Sequence, residues 1–165
     1  MIAIQKSSTA DTRTCDKSKV TKEQLLESSR QHIGDVGKGL AFFAGKLTEA
    51  AAVHDYDKLT EIDWFLADFK GDICKPHGWL ARHYQIHRHH LGAPPAGVGG
   101  GDDELGVPED VDLLDVLEMV ADCVMAGMGR AGTVFPIKLS DELLQRALAN
   151  TTELLKSQVA VEESV

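Results

Sequence analysis

In stretches such as Leu25–Leu47 and Leu113–Met128 the apolar residues recur close to every 3.6 positions, and the β-branched residues do not form alternating runs. This is the period of helices with one buried face, and it argues against sheet. The 165 residues suffice for one domain with a real core. Aromatics make up only 5% of a chain that is 43% hydrophobic, so the core must rest on Leu, Val, Ala and Met. The expected fold is all-α, a compact single-domain bundle of five to seven helices.

Residues 1–20 are polar and carry no helical stripe, which predicts a flexible N-terminal arm. Thr21 and Gln24 form a capping-box pattern, followed by Leu25, Leu26, Ile33, Val36, Leu40, Phe43 and Leu47 on one helical face. Gly34, Gly37 and Gly39 read as bends or close packing points. Thr60, with Asp63, predicts the cap of a second helix through Trp64 and Phe69, ended by Gly71. A third is expected to start near Pro76, carry Trp79, Leu80, Tyr84 and Ile86, run into His87–His90 and break at Gly92. Residues 92–110 form a long Gly- and Pro-rich loop. A fourth helix begins at Asp110 or Asp112 with Leu113, Leu117, Val120, Val124 and Met128 as its apolar face, and a last one follows the Ser140 cap. The domain so defined covers 21–157, and residues 158–165 are expected to fray.

The net charge of −9 points away from duplex nucleic acid and anionic membrane. A small phosphate compound stays compatible if a metal supplies local positive charge. Cys15, Cys74 and Cys123 are odd in number and widely spaced, so neither a disulfide framework nor a cysteine zinc motif is expected. With no signal-like start and no apolar run near the roughly 20 residues of a membrane span, a cytoplasmic location is expected.

Histidine carries the chemistry. Of seven, His83, His87, His89 and His90 fall within eight positions, and the spacing of His83, His87 and His90 puts them on one face of a helix. Neutral imidazole is a strong ligand for first-row transition metals, and carboxylates complete such sites. The competing reading is a basic surface patch with Arg82 and Arg88. His54-Asp55 closes the apolar run AAAV, where a charged Asp is costly to bury without a cation or hydrogen bonds. Asp122 lies within the apolar stretch LEMVADCVMAG, with Glu118 one turn before it. A metal is one partner for such a carboxylate; a solvated stripe of Asp115, Glu118 and Asp122 is the other reading.

The order H…HD…H…HH…D resembles the HD superfamily of all-helical, metal-dependent phosphohydrolases. HDYDK matches its HD-x-x-K pattern. WLARHYQIHRHH and MVAD resemble patterns of a small bacterial and phage branch, over roughly residues 22–132. The resemblance implies metal ligands His32, His54, Asp55, His83, His89, His90 and Asp122. The separation of 22 residues between His32 and His54 matches one helix plus a turn. Glu118 would orient a ligand histidine, and His87, outside the pattern, takes a supporting place.

Two divalent ions (Mn, Fe, Co, Ni or Zn) are then expected, bridged by Asp55, with Lys58 and Arg130 offsetting the charge of a small phosphorylated substrate such as a nucleotide. Asp55 and Lys58 are the expected catalytic residues. Two alternatives stand beside hydrolysis: a di-iron oxygenase of the same fold with four His and two Asp, and a non-catalytic binding module. A homodimer through a helix face is a further expectation, as is a host-cytoplasmic setting if a phage encodes the chain.

Overall fold

A computed structural model describes residues 1–6, 16–71, 78–91, 107–134 and 136–163. Cys15, Cys74, His77, the expected third-helix start near Pro76 and residues 92–106 of the expected loop lie outside them. The described residues hold six helices and two short strands, so the protein is essentially all-α. No helix among them is long and apolar enough to cross a membrane. The chain divides into two compact units, residues 1–46 with 152–165, and residues 47–151.

In the first unit, β1 (Ile2–Gln5) pairs in parallel with β2 (Val159–Glu162), Ile2 opposite Val159 and Gln5 opposite Glu162. The expected arm and frayed tail therefore both contain ordered strand. Four-residue strands whose partner lies at the other end of the chain leave little local signal. Ile2 and Ile4 line an apolar pocket with Val36, Leu40, Phe43 and Leu155.

Helix α1 (Lys22–Val53) starts at a complete capping box: Thr21 N donates to Gln24 Oε1 at 3.0 Å and Gln24 N to Thr21 Oγ1 at 3.2 Å. It continues without interruption through its glycines. A Cβ at Gly34 or Gly37 would meet nothing within 4 Å, so neither is a packing point. Leu25, Leu26, Ile33, Val36 and Leu40 are exposed.

The second unit holds α2 (Asp57–Thr60), α3 (Ile62–Phe69), α4 (Trp79–Ile86), α5 (Leu113–Ala131) and most of α6 (Asp141–Gln158). Thr60 does not cap α3; it closes α2, its hydroxyl bonding the Tyr56 carbonyl. Asp68 reaches from α3 to cap α4, accepting from Leu80 N at 2.7 Å. Gly78 makes room for it, since a Cβ there would run into the Asp68 carboxylate. Asp112 and Asp115 form a capping box at the start of α5, and Ser140 Oγ caps α6 through Leu143 N at 3.1 Å.

Leu91, Val111, Met119, Leu143 and Ala147 make the core, flanked by Val116 and Cys123. The buried side of α5 thus carries Asp115 and Met119. Leu117, Val120 and Met128, expected to be its core face, are exposed. The helix is rotated so that Glu118 and Asp122 meet His54 after α1, and Glu118 meets His89 in the turn after α4.

Candidate metal centre

The first side chains come from the end of α1. After Val53 the backbone turns, and Asp55 takes a φ of 49°. This left-handed conformation is uncommon outside glycine, though Asp and Asn adopt it more readily than most residues. Lys58 N donates to the Asp55 carbonyl at 3.0 Å, so the turn leads directly into α2. Asp55 is buried, and Lys58 pairs with its Oδ2.

The second group comes from α4 and the turn beyond it. His83 is fully buried, its ring stacked on Trp79 at 4.5 Å, and Trp79 stacks on Phe65 at 4.2 Å. The helix stops at Ile86, and His87 is already extended. His90 N donates to the His87 carbonyl at 3.2 Å, closing a turn that brings the His90 ring to 4.7 Å from that of His83. A shared helix face is therefore not what gathers these imidazoles. Arg88 points the other way, to Asp115 and Asp110, while Arg82 pairs with Glu61, so the two arginines do not form a free basic patch.

The third group lies on α5. Glu118 Oε1 accepts from Nδ1 of His54 at 2.8 Å and lies 3.0 Å from Nδ1 of His89. A carboxylate only accepts, so both rings carry their proton on Nδ1 and turn Nε2 toward Asp55. His54 Nε2 is 3.5 Å from Asp55 Oδ2 and 3.8 Å from Asp122 Oδ1. His83 Nε2 and His89 Nε2 are each 3.4 Å from Asp55 Oδ1. His90 Nε2 lies 2.9 Å from His83 Nε2.

Ligand atoms about 2.0–2.2 Å from a common metal lie about 2.8–3.6 Å apart. The centre has close to that spacing around both oxygens of Asp55. The potential ligating atoms of His54, Asp55 and Asp122 lie within 4.8 Å of one another, and so do those of Asp55, His83 and His90. Asp55 Oδ1 and His89 Nε2 are buried without a hydrogen-bond partner. Such atoms cost roughly 1–3 kcal/mol each unless something satisfies them, and a cation would. The protein therefore has a buried His/Asp cluster whose donors fit a metal ion.

Electrostatics at Asp55, His83 and His90 suit the same use. Burial alone would raise the Asp55 pKa, but His89 and Lys58 hold its carboxyl far below the usual range. Burial, reinforced by His89 and His83, pushes His90 down to about 3, so its ring is neutral and its lone pair available. Burial lowers His83 as well, against the pull of Asp57. His89 is raised, because Asp55 and Glu118 outweigh its burial.

The structure brings together His54, Asp55, Lys58, His83, His87, His89, His90, Glu118 and Asp122. It does not bring His32. That residue is exposed on α1, which is unbroken from Lys22 to Val53. His32 belongs to the first unit and is in none of the groups of potential ligand atoms around Asp55. A ligand at His32 required a chain reversal between it and His54, and the glycines do not supply one. Arg130 is exposed, two turns past Asp122 and about 12 Å along α5.

One central residue was missed in the sequence. Asp57 is completely buried and contacts both His83 and His87. Flanked by Tyr56 and Lys58, it reads as surface; its only signal was a second Asp two positions after Asp55. No family model matches the chain, and neither does any curated protein or solved structure.

Proposed function

We propose that this cluster holds two divalent transition-metal ions and that the chain is an HD-type phosphohydrolase acting on a nucleotide or another small phosphate ester. The observation that carries the reading is Asp55, whose two oxygens face separate donor groups. Oδ2 faces His54, with Asp122 beyond it, and Oδ1 faces His83 and His89, with His90 beside His83. A carboxylate so placed suits a bridge. Bound ions would supply a nucleophile at neutral pH and polarise a phosphoryl oxygen. Glu118 orients His54 and His89, and the buried setting strengthens each charge interaction.

Lys58 now neutralises Asp55. A cation on Asp55 would displace it and leave its ammonium, one-third exposed, to meet an anionic substrate. Lys58→Met should therefore raise metal affinity about tenfold, the size of a 1.4 kcal/mol interaction. Phosphate release should fall by about 10- to 100-fold. Metal titration and phosphate assay of the same preparation check both; unchanged affinity and rate would remove Lys58 from the mechanism.

One observation favours a second reading. Without His32, the expected ligands that come together count four imidazoles (His54, His83, His89, His90) and two carboxylates (Asp55, Asp122). That set is the one the resemblance links to oxygen-activating di-iron enzymes. Metal content per chain, followed by phosphate release from a nucleotide panel with Mn²⁺, Co²⁺, Ni²⁺ or Zn²⁺, separates the two. Two ions with phosphate release is the expected result. Two irons with oxygen uptake and no phosphate release would replace hydrolysis by oxidation, and a chain that binds no metal would sink both.

A further inference from the structure

We propose that Asp57 is a positioning residue that fixes the His83 imidazole, through its Nδ1 proton, with Nε2 presented to the metal centre. The inference rests on the metal-centre reading above. Asp57 and His87 occupy positions that HD-x-x-K and HY-x-x-x-x-HH leave open, yet they meet at the wall of the cluster. Asp57 is 0% exposed. Its Oδ2 lies 2.9 Å and its Oδ1 3.0 Å from His83 Nδ1, and Oδ1 is 2.7 Å from His87 Nε2. No Lys or Arg pairs with it among the described residues, so two imidazole N–H groups carry the whole cost of burying this carboxylate.

A carboxylate offers lone pairs and no proton, so both facing ring nitrogens donate. His83 is thereby held as the Nδ1–H tautomer. Its Nε2 lone pair then looks toward Asp55 Oδ1 at 3.4 Å and His90 Nε2 at 2.9 Å. The Trp79 stack fixes the ring plane, and Asp57 fixes which edge points inward. Glu118 does the same for His54 and His89, one on each side of Asp55, so three of the imidazoles have an orienting carboxylate. A separate ion among Asp57, His83 and His87 fits less well. Their separations are those of N–H···O bonds, and His83 would have to give up its last ring proton.

The test uses the full chain, with Co²⁺ as probe. Wild-type protein should bind two Co²⁺. Asp57→Asn, which keeps the volume but removes the negative charge and puts an amide donor in place of one oxygen, should bind one with affinity unchanged within threefold and the other 10- to 100-fold more weakly. The retained tight ion shows that the variant is folded. His87→Gln leaves the Asp57–His83 contact in place but alters the second N–H partner of Asp57, and should weaken the same ion less than Asp57→Asn does. Long-range ¹H–¹⁵N spectra of metal-free wild-type protein should show His83 as the Nδ1–H tautomer, a readout that needs no variant. Two wild-type affinities in Asp57→Asn, three Co²⁺ per wild-type chain, an Nε2–H tautomer at His83, or an equal loss in His87→Gln would each overturn the proposal. Wild-type protein that binds no Co²⁺ would instead overturn the metal-centre reading beneath it.

Discussion

Asp55→Asn is expected to empty both halves of the metal centre and to abolish any activity that depends on them. The substitution keeps the size of the side chain and tolerates the φ of 49°, so it tests charge and ligation rather than backbone strain. What it removes is the anionic carboxylate between the two donor groups, leaving one oxygen and an amide that donates where a lone pair is needed. Affinity should fall by roughly three orders of magnitude at both positions, about 4 kcal/mol each. Fold stability without metal should change by only about 1 kcal/mol, because the main lost partner, Lys58, is partly exposed. Metal content after dialysis and a melting curve in chelator check the two halves of the statement. An Asp55→Asn protein that keeps one full equivalent of metal would show that Asp55 serves a single ion and does not bridge.

The second large effect comes from a residue that is not itself a ligand. Arg88→Met should destabilise the second unit by about 2–4 kcal/mol, because it strands a buried carboxylate. Arg88 grips Asp115 with two nitrogens, at 2.9 and 2.8 Å, and reaches Asp110 at 3.0 Å. Asp115 is 6% exposed, and without the arginine it keeps only the backbone N–H of Asp112. The same arginine sits between His87 and His89, so it fastens the histidine turn to the start of α5. The melting temperature should drop by about 5–15 °C in a chain of this size, and Co²⁺ affinity should drop with it. Arg82→Met is the control. Arg82 pairs with the partly exposed Glu61, and its loss should cost under about 1 kcal/mol. Equal melting of the two variants would mean that Arg88 tethers nothing.

The sequence revealed what is decided locally. The caps at Thr21, Asp112 and Ser140 are legible because a side chain and the backbone it satisfies lie within three residues of each other. The set His54, Asp55, the histidine group and Asp122 was suggested by the resemblance of their order to the HD pattern, with Glu118 one turn from Asp122. Features decided by distant partners were not. Whether three glycines break a helix depends on what packs beside them; α1 runs on, and His32 stays behind. The turn after Ile86 replaces the helix face expected for His83, His87 and His90. Arg88 reads as a surface cation until Asp115 is brought against it, and Asp57 as a surface acid until two imidazoles enclose it.

Among the described residues, the second unit buries six apolar side chains, Trp79, Leu91, Val111, Met119, Leu143 and Ala147. Against these it buries seven polar or charged ones, Asp55, Asp57, His83, His87, His89, Asp115 and Thr151. The interior is thus as much a charge lattice as an oily one. Site and scaffold are the same atoms here, so the usual freedom to alter chemistry while leaving the packing intact is small. Substitutions in this interior must keep its donors and acceptors in balance, one exchange at a time.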